Sequence, residues 1–255
     1  AEPWPGNPPP RLHEVRGGML NSVGLQNPGA EAWRRSELPA LLDAGATVVA
    51  SIWGFTADGY AAAAAALAGA PGVVAVEVNL SCPNVESRRA MFAHDPAATR
   101  EAVEASAACG LPRWAKLSPN VTDLVDIVDA AVAGGAEAVT LVNTVMGMAI
   151  DVETRRPVLG AGGGGLSGAA IHPVAVRAVH DVHAERPGVP IVGAGGVSTA
   201  ADAVELLLAG ASAVQVGTAT FRDPRALGRI LRELPAWCRR HHVERAADLI
   251  GAIHE

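Results

Sequence analysis

The sequence predicts an α/β chain of the (β/α)8 TIM-barrel type, with about six of the eight βα units present. Three observations carry this expectation. Short apolar runs alternate with stretches of helical spacing. A glycine stands just before most of the runs, where helices end. Each run finishes in small or polar groups, so polar chemistry collects at one end of several strands, as in a barrel, whereas a doubly wound sheet concentrates it at one switch point.

The strand-like runs are Ala46–Ser51, Val73–Val78, Arg113–Leu117, Ala138–Val142, Pro190–Val192 and Ala213–Val216. Helical spacing marks Asp58–Leu67, Asp95–Ala108, Asp123–Ala133, Pro173–His183 and Thr199–Leu208. Asp95-Pro96 and Ser198-Thr199 read as helix starts. Gly45, Gly110, Gly134-Gly135 and Gly210 read as helix stops. Residues 1–30, rich in Gly, Pro and Asn, offer no seventh or eighth unit. The expectation is one domain over residues 1–255, a barrel incomplete at its N-terminal side.

Composition narrows the function. The 255 residues are 49% hydrophobic, enough for a sizeable core, and the net charge of −6 gives no footprint for nucleic acid or an anionic membrane. No apolar run is long enough to span a bilayer and no signal peptide is visible. Cys82, Cys109 and Cys238 are odd in number and far apart, which suits a reduced, cytoplasmic setting and no metal site. His241-His242, among Arg239, Arg240 and Arg245, reads as a solvated basic face of a C-terminal helix, and His172 as structural.

Two strand ends stand out. Val76-Glu77-Val78-Asn79-Leu80-Ser81-Cys82-Pro83-Asn84 carries amides, a hydroxyl and a thiol past a buried strand. Pro83 stops that strand and leaves Cys82 at the rim, either as a proton-exchanging thiol or as a small hydrophobe in a turn. Lys116, ending the next run, is the only lysine among twenty basic residues. A compact ammonium is thereby retained where the chain otherwise uses arginine.

Glycines suggest the ligand. Gly193-Ala194-Gly195-Gly196 follows one late strand and opens a helix, and Gly217-Thr218 follows the next. Paired loops of this kind are the usual phosphate site of the architecture. Without a P-loop lysine or a full dinucleotide fingerprint they suit a mononucleotide. A third group, Gly162–Gly168, reads either as part of the site or as a flexible loop. A flavin mononucleotide would give Lys116 a role, stabilising negative charge near N1 and O2 of the reduced ring. Amides at Asn21, Asn79, Asn84 and Asn143 suit a planar substrate of alternating carbonyls and N–H groups. Trp53, beside Ser51, is the tryptophan expected nearest the flavin.

These motifs, together with Met19–Gly29, Lys116-Leu117-Ser118-Pro119-Asn120-Val121, Asn143-Thr144 and Gly164-Gly165-Leu166-Ser167-Gly168, resemble dihydroorotate dehydrogenase. The resemblance extends from about Gly6 to Arg232. Cysteine at 82 resembles class 1, and Asn143-Thr144 followed by Met146–Asp151 resembles the NAD-linked subclass 1B catalytic subunit. It implies oxidation of dihydroorotate to orotate in pyrimidine biosynthesis, with Cys82 removing the C5 proton and hydride passing from C6 to FMN. Substrate would be held by Asn21, Ser22, Val23, Gly24, Leu25, Asn79, Asn84, Asn143 and Thr144. FMN would touch Ser51, Asn79, Lys116, Val142, Gly168, Gly195, Gly196, Gly217 and Thr218. The partners implied are a homodimeric copy and an electron-transfer subunit carrying FAD and an iron–sulfur cluster.

The chain departs from that pattern in two places. The family begins with two more βα units, carrying a flavin-binding Ser and a Lys-Thr pair. Arg88-Arg89 replaces a Gly-Gly pair after the cysteine loop. Two other readings follow: an FMN enzyme acting on another pyrimidine, or a truncated, non-catalytic barrel fragment serving as a scaffold.

Overall fold

A computed structural model describes residues 1–81 and 91–254. Along the chain the strands are β1 (Leu12–Val15), β2 (Gly18–Asn21), β3 (Val48–Ile52), β4 (Val73–Asn79), β5 (Arg113–Lys116) and β6 (Ala138–Leu141). They continue with β7 (Val145–Gly147), β8 (Ile150–Asp151), β9 (Arg156–Pro157), β10 (Gly164–Ser167), β11 (Ile191–Ala194) and β12 (Ala213–Gln215). The helices are α1 (Ala30–Ser36), α2 (Leu38–Asp43), α3 (Ala57–Ala65), α4 (Pro96–Ala105), α5 (Leu124–Ala133), α6 (His172–Glu185), α7 (Ala200–Ala209), α8 (Ala219–Arg222) and α9 (Ala226–Arg240). All six expected parallel-strand segments and all five expected helices are present, with ends shifted by a few residues. The chain divides into two compact units, Ala1–Gly6 with Gly24–Val139, and Asn7–Val23 with Thr140–Glu255.

In the first unit β4 lies between β3 and β5, parallel to both. Glu137 N–H donates to the Arg113 carbonyl and so leads β6 in beside β5. Ala50, Ile52, Val76, Val78 and Ala115 are buried in these strands, and α3 buries Tyr60, Ala63 and Ala64. Alanines let that helix lie close, while Tyr60 fills the remaining space against Phe92, ring edge to face at 5.1 Å. The helix starts follow from capping chemistry. Thr56 accepts from Gly59 N–H, and Asp95, with Pro96 behind it, accepts from Ala97 and Ala98. Asp123 does the same for α5. Trp4, Trp53 and Phe55 form a trio of edge-on rings with centroids 5.0–6.1 Å apart. Trp4 also exchanges two backbone hydrogen bonds with Asn27, which fixes the first residues of the chain.

In the second unit β11 and β12 pair in parallel, and Val142 N–H donates to the Ala194 carbonyl. Helix α7 starts with a capping box between Thr199 and Asp202. It buries Val204 and Leu207 against Leu249, with Leu234 and Trp237 of α9 packed alongside. Helix α9 stops at Arg240, so His241, His242 and Arg245 lie beyond its end.

A second, antiparallel sheet, in the order β1-β2-β10-β7, was not legible in the sequence. Residues 1–30 hold its first hairpin rather than a further βα unit. The glycines read as a possible flexible loop form β10, whose Gly165 stands opposite Asn21. The pairing joins segments well over a hundred residues apart, and alternation within four-residue strands is too short to announce it.

Candidate active site

The parallel register of the first unit puts its chosen residues on one face. Ser51 stands opposite Glu77, and Asn79 opposite Lys116. Paired residues and alternate residues of a strand share a face, so Ser51, Glu77, Asn79 and Lys116 all point to the same side. Lys116 Nζ lies 3.5 Å from Glu77 Oε1, and the Glu77 side chain is only 8% exposed. Glu77 was missed in the sequence, although a carboxylate inside the apolar run Val73–Val78 is a visible anomaly.

The end of β4 is held from two sides. Tyr60 Oη donates to the Asn79 carbonyl at 2.7 Å, and Asn79 Oδ1 accepts from Ser81 N–H at 3.2 Å. Leu80 N–H donates to the Lys116 carbonyl. The chain is thus positioned up to the residue before Cys82. Cys82, Asn84 and Arg88-Arg89 themselves lie outside the described residues. After β5, Ser118 is buried and its hydroxyl accepts from both N–H groups of Asn120, backbone and amide.

The second unit gathers Asn21, Asn143 and Thr144. Asn21 Nδ2 donates to the Gly165 carbonyl at 3.3 Å. A Cβ on Gly165 would collide with Thr144 Oγ1, so Thr144 lies directly on that glycine. Asn143 Oδ1 accepts from Thr144 N–H at 2.7 Å. Ser22 N–H donates to the Arg11 carbonyl, whereas the buried Ser22 hydroxyl has no hydrogen-bond partner among the described residues. Val23 accepts from Asn7 N–H. Gly24 and Leu25, which belong to the first unit, have left-handed φ values of 73° and 65°. That conformation is ordinary for glycine and strained for leucine.

The glycines proposed for phosphate converge. A Cβ on Gly168, at φ 95°, would lie 2.8 Å from Gly18 Cα and 3.6 Å from Thr218 Cγ2. One on Gly196, at φ 71°, would lie 2.9 Å from the Gly168 carbonyl oxygen and 2.6 Å from His172 Cβ. One on Gly195, at φ 138°, would strike Ala175 Cβ at 2.7 Å and approach Val142 Cγ2 at 3.7 Å. A Cβ on Gly217 would meet nothing within 4 Å among the described residues, so Gly217 stands open beside this cluster. Val142, Gly168, Gly195, Gly196 and Thr218 therefore form a close-packed cradle, lined by backbone of Gly18 and Gly168 and by the side chains of Val142, His172, Ala175 and Thr218, in which a Cβ at Gly168, Gly195 or Gly196 has no room. Such a cradle suits phosphate oxygens, which need close approach to N–H groups. The residues present fit a phosphate-bearing cofactor.

Polar strand ends in the first unit and a glycine cradle in the second suit an α/β protein of the TIM-barrel type with a phosphate-bearing ligand. Comparison with known proteins narrows it. The family model "Dihydroorotate dehydrogenase" matches residues 1–237. The chain belongs to that family. The catalytic subunit of dihydroorotate dehydrogenase B (NAD(+)) from Geobacter sp. (strain M21) is 47% identical over 253 residues, covering 99% of this chain and 83% of the relative. The protein of the same name from Desulforudis audaxviator is also 47% identical, over 254 residues, covering 99% and 82%. The crystal structure of the Eimeria tenella dihydroorotate dehydrogenase in complex with ferulenol aligns at a TM-score of 0.81 and 23% identity. It covers 100% of this chain and 77% of that one, which supports the fold. No helix among the described residues is long and apolar enough to cross a membrane.

Proposed function

We propose that this chain oxidises dihydroorotate to orotate, with FMN as its flavin. The observation that supports the reading most is the close approach of Gly168, Gly196 and Thr218, with no room for a Cβ at either glycine. Ser51, Asn79, Lys116, Val142, Gly168, Gly195, Gly196, Gly217 and Thr218 are assigned to FMN, and FMN supplies, when bound, the acceptor for hydride from C6 of the substrate. Asn21, Ser22, Val23, Gly24, Leu25, Asn79, Asn84, Asn143 and Thr144 are assigned to substrate, whose carbonyls and ring N–H groups match amide donors and acceptors.

Cys82 is the base that takes the C5 proton. A free thiol titrates near ~8.5, so its reactivity at neutral pH depends on its surroundings when substrate is bound. Glu77 holds the Lys116 ammonium at the strand end, where its charge offsets negative charge developing on a neighbouring ring.

Both units are read as parts of one FMN-binding domain over residues 1–255, since the family match runs through both. A homodimer, a partner subunit carrying FAD and an iron–sulfur cluster, and a cytoplasmic location belong to the same proposal. The "catalytic subunit" in the relatives' names supports the partner, and the unbridged Cys109 and Cys238 suit a reducing compartment. Turnover with dihydroorotate against dihydrouracil, in the wild type and Cys82→Ser, tests the assignment. Activity on dihydroorotate that falls at least about a hundredfold in the serine variant is expected for loss of the base. Activity on dihydrouracil alone would move the chain to another pyrimidine oxidoreductase. A colourless, inactive protein would make it a scaffold.

A further inference from the structure

His172 opens α6 directly behind the glycine cradle, and its side chain is only 11% exposed. Its Nδ1 lies 2.8 Å from the Gly195 carbonyl oxygen, and its Nε2 lies 3.2 Å from Glu205 Oε2 on α7. A carbonyl can only accept, so Nδ1 donates to it. The Glu205 carboxylate also only accepts, so when Nε2 carries a proton as well the two contacts together fix the ring's rotation.

The consequence lies in the next peptide group. The Gly195 carbonyl and the Gly196 N–H belong to one planar trans amide, in which C=O and N–H point in opposite directions. Pinning that oxygen toward α6 therefore aims the Gly196 N–H away from α6. Among the described residues that N–H meets no protein acceptor. Glycine at both positions would otherwise leave the peptide plane free to turn, because φ of 138° and 71° are two of many conformations open to it.

We propose that His172, braced by Glu205, is a positioning residue that sets the Gly195–Gly196 peptide so that its N–H presents to the phosphate of FMN. The inference rests on the reading of this loop as the phosphate site. It separates phosphate recognition from flavin-ring recognition, because the imidazole acts on the phosphate loop alone.

The test measures dissociation constants of FMN and riboflavin for the full chain by quenching of flavin fluorescence. His172→Asn keeps an amide donor near the Nδ1 position, His172→Gln moves it toward the Nε2 position, and His172→Leu removes it. The expected result is a loss of FMN affinity of about tenfold in the Gln and Leu variants, the scale of one well-placed hydrogen bond. Riboflavin affinity should stay within about twofold, and His172→Asn should keep most of its FMN affinity. Should the Leu variant fail to fold, the Asn and Gln pair decides. Equal losses for FMN and riboflavin, wild-type FMN affinity in the Gln variant, or equal losses in Asn and Gln would each overturn the proposal. A wild type that binds riboflavin as tightly as FMN would overturn the phosphate-loop reading beneath it. Binding of neither flavin would overturn the FMN assignment as a whole, and this proposal with it.

Discussion

Glu77 Oε1 and Lys116 Nζ face each other at 3.5 Å across adjacent parallel strands, with the carboxylate almost wholly buried. A largely buried ion pair adds little to stability by itself, but removing one member takes a charge partner from the other. Glu77→Gln should therefore cost about 3 kcal/mol in chemical denaturation. The double variant Glu77→Gln with Lys116→Met should recover part of that loss. Additive losses across the double-mutant cycle would show that the two charges do not act on one another.

Tyr60→Phe removes one hydroxyl from a fully buried ring and takes that donor away from the Asn79 carbonyl. About 1–2 kcal/mol of stability should go, with the Phe92 packing retained. Since that carbonyl belongs to a residue assigned to both flavin and substrate, KM for dihydroorotate should rise as well. An unchanged KM would mean that the end of β4 is held adequately by its strand partners.

Asp202 gives a pH signature to the start of α7. Burial pushes its carboxyl up, but hydrogen bonds from Ser198 and Thr199 outweigh that and hold it below the usual carboxylate range. The folded value lies below the unfolded one. Its contribution is therefore complete above the unfolded value near ~3.9 and fades as pH falls through the folded value. Asp202→Asn should lose about 1 kcal/mol at neutral pH, as a lost cap does, and little at strong acid. Thermal melts across pH 3–7, used as an approximate window around these values, check the sign.

His183 behaves in the opposite chemical sense with the same acid sensitivity. Burial pushes its imidazole down first, and the neighbouring His254 and His180 push it further. Its ring lies 5.0 Å from His254, which in turn stacks on His180 at 4.5 Å. The folded protein therefore prefers the neutral ring. The associated stability is full above about pH 6.5 and is lost as pH falls through the depressed folded value. His183→Gln should flatten the fall of the melting temperature between about pH 7.5 and 5.5. An equally steep fall in the variant would assign the acid sensitivity to other groups.

The fold and the site were legible to different depths. Strand–helix alternation, the caps at Asp95 and Thr199 and the glycine stops all read directly from spacing, because each depends on neighbours in sequence. Lys116 was legible for being the lone lysine, and the late glycines for following strands. Glu77 was concealed by its apolar run, although its charge was the signal. The approach of Thr144 to Gly165 and the grip of His172 on Gly195 depend on tertiary placement, which no local pattern encodes. Cys82 lies outside the described residues, and its role rests on the sequence.

The trio of Trp4, Trp53 and Phe55 lets the protein be watched without any label. Trp4 lies within residues 1–6, and Trp53 follows the strand that carries Ser51. Indole emission shifts with hydration, so detachment of the first half-dozen residues registers as a colour change at Trp53 and Trp4 together. With the other three tryptophans replaced by phenylalanine, a stopped-flow trace would time the arrival of that opening segment during folding.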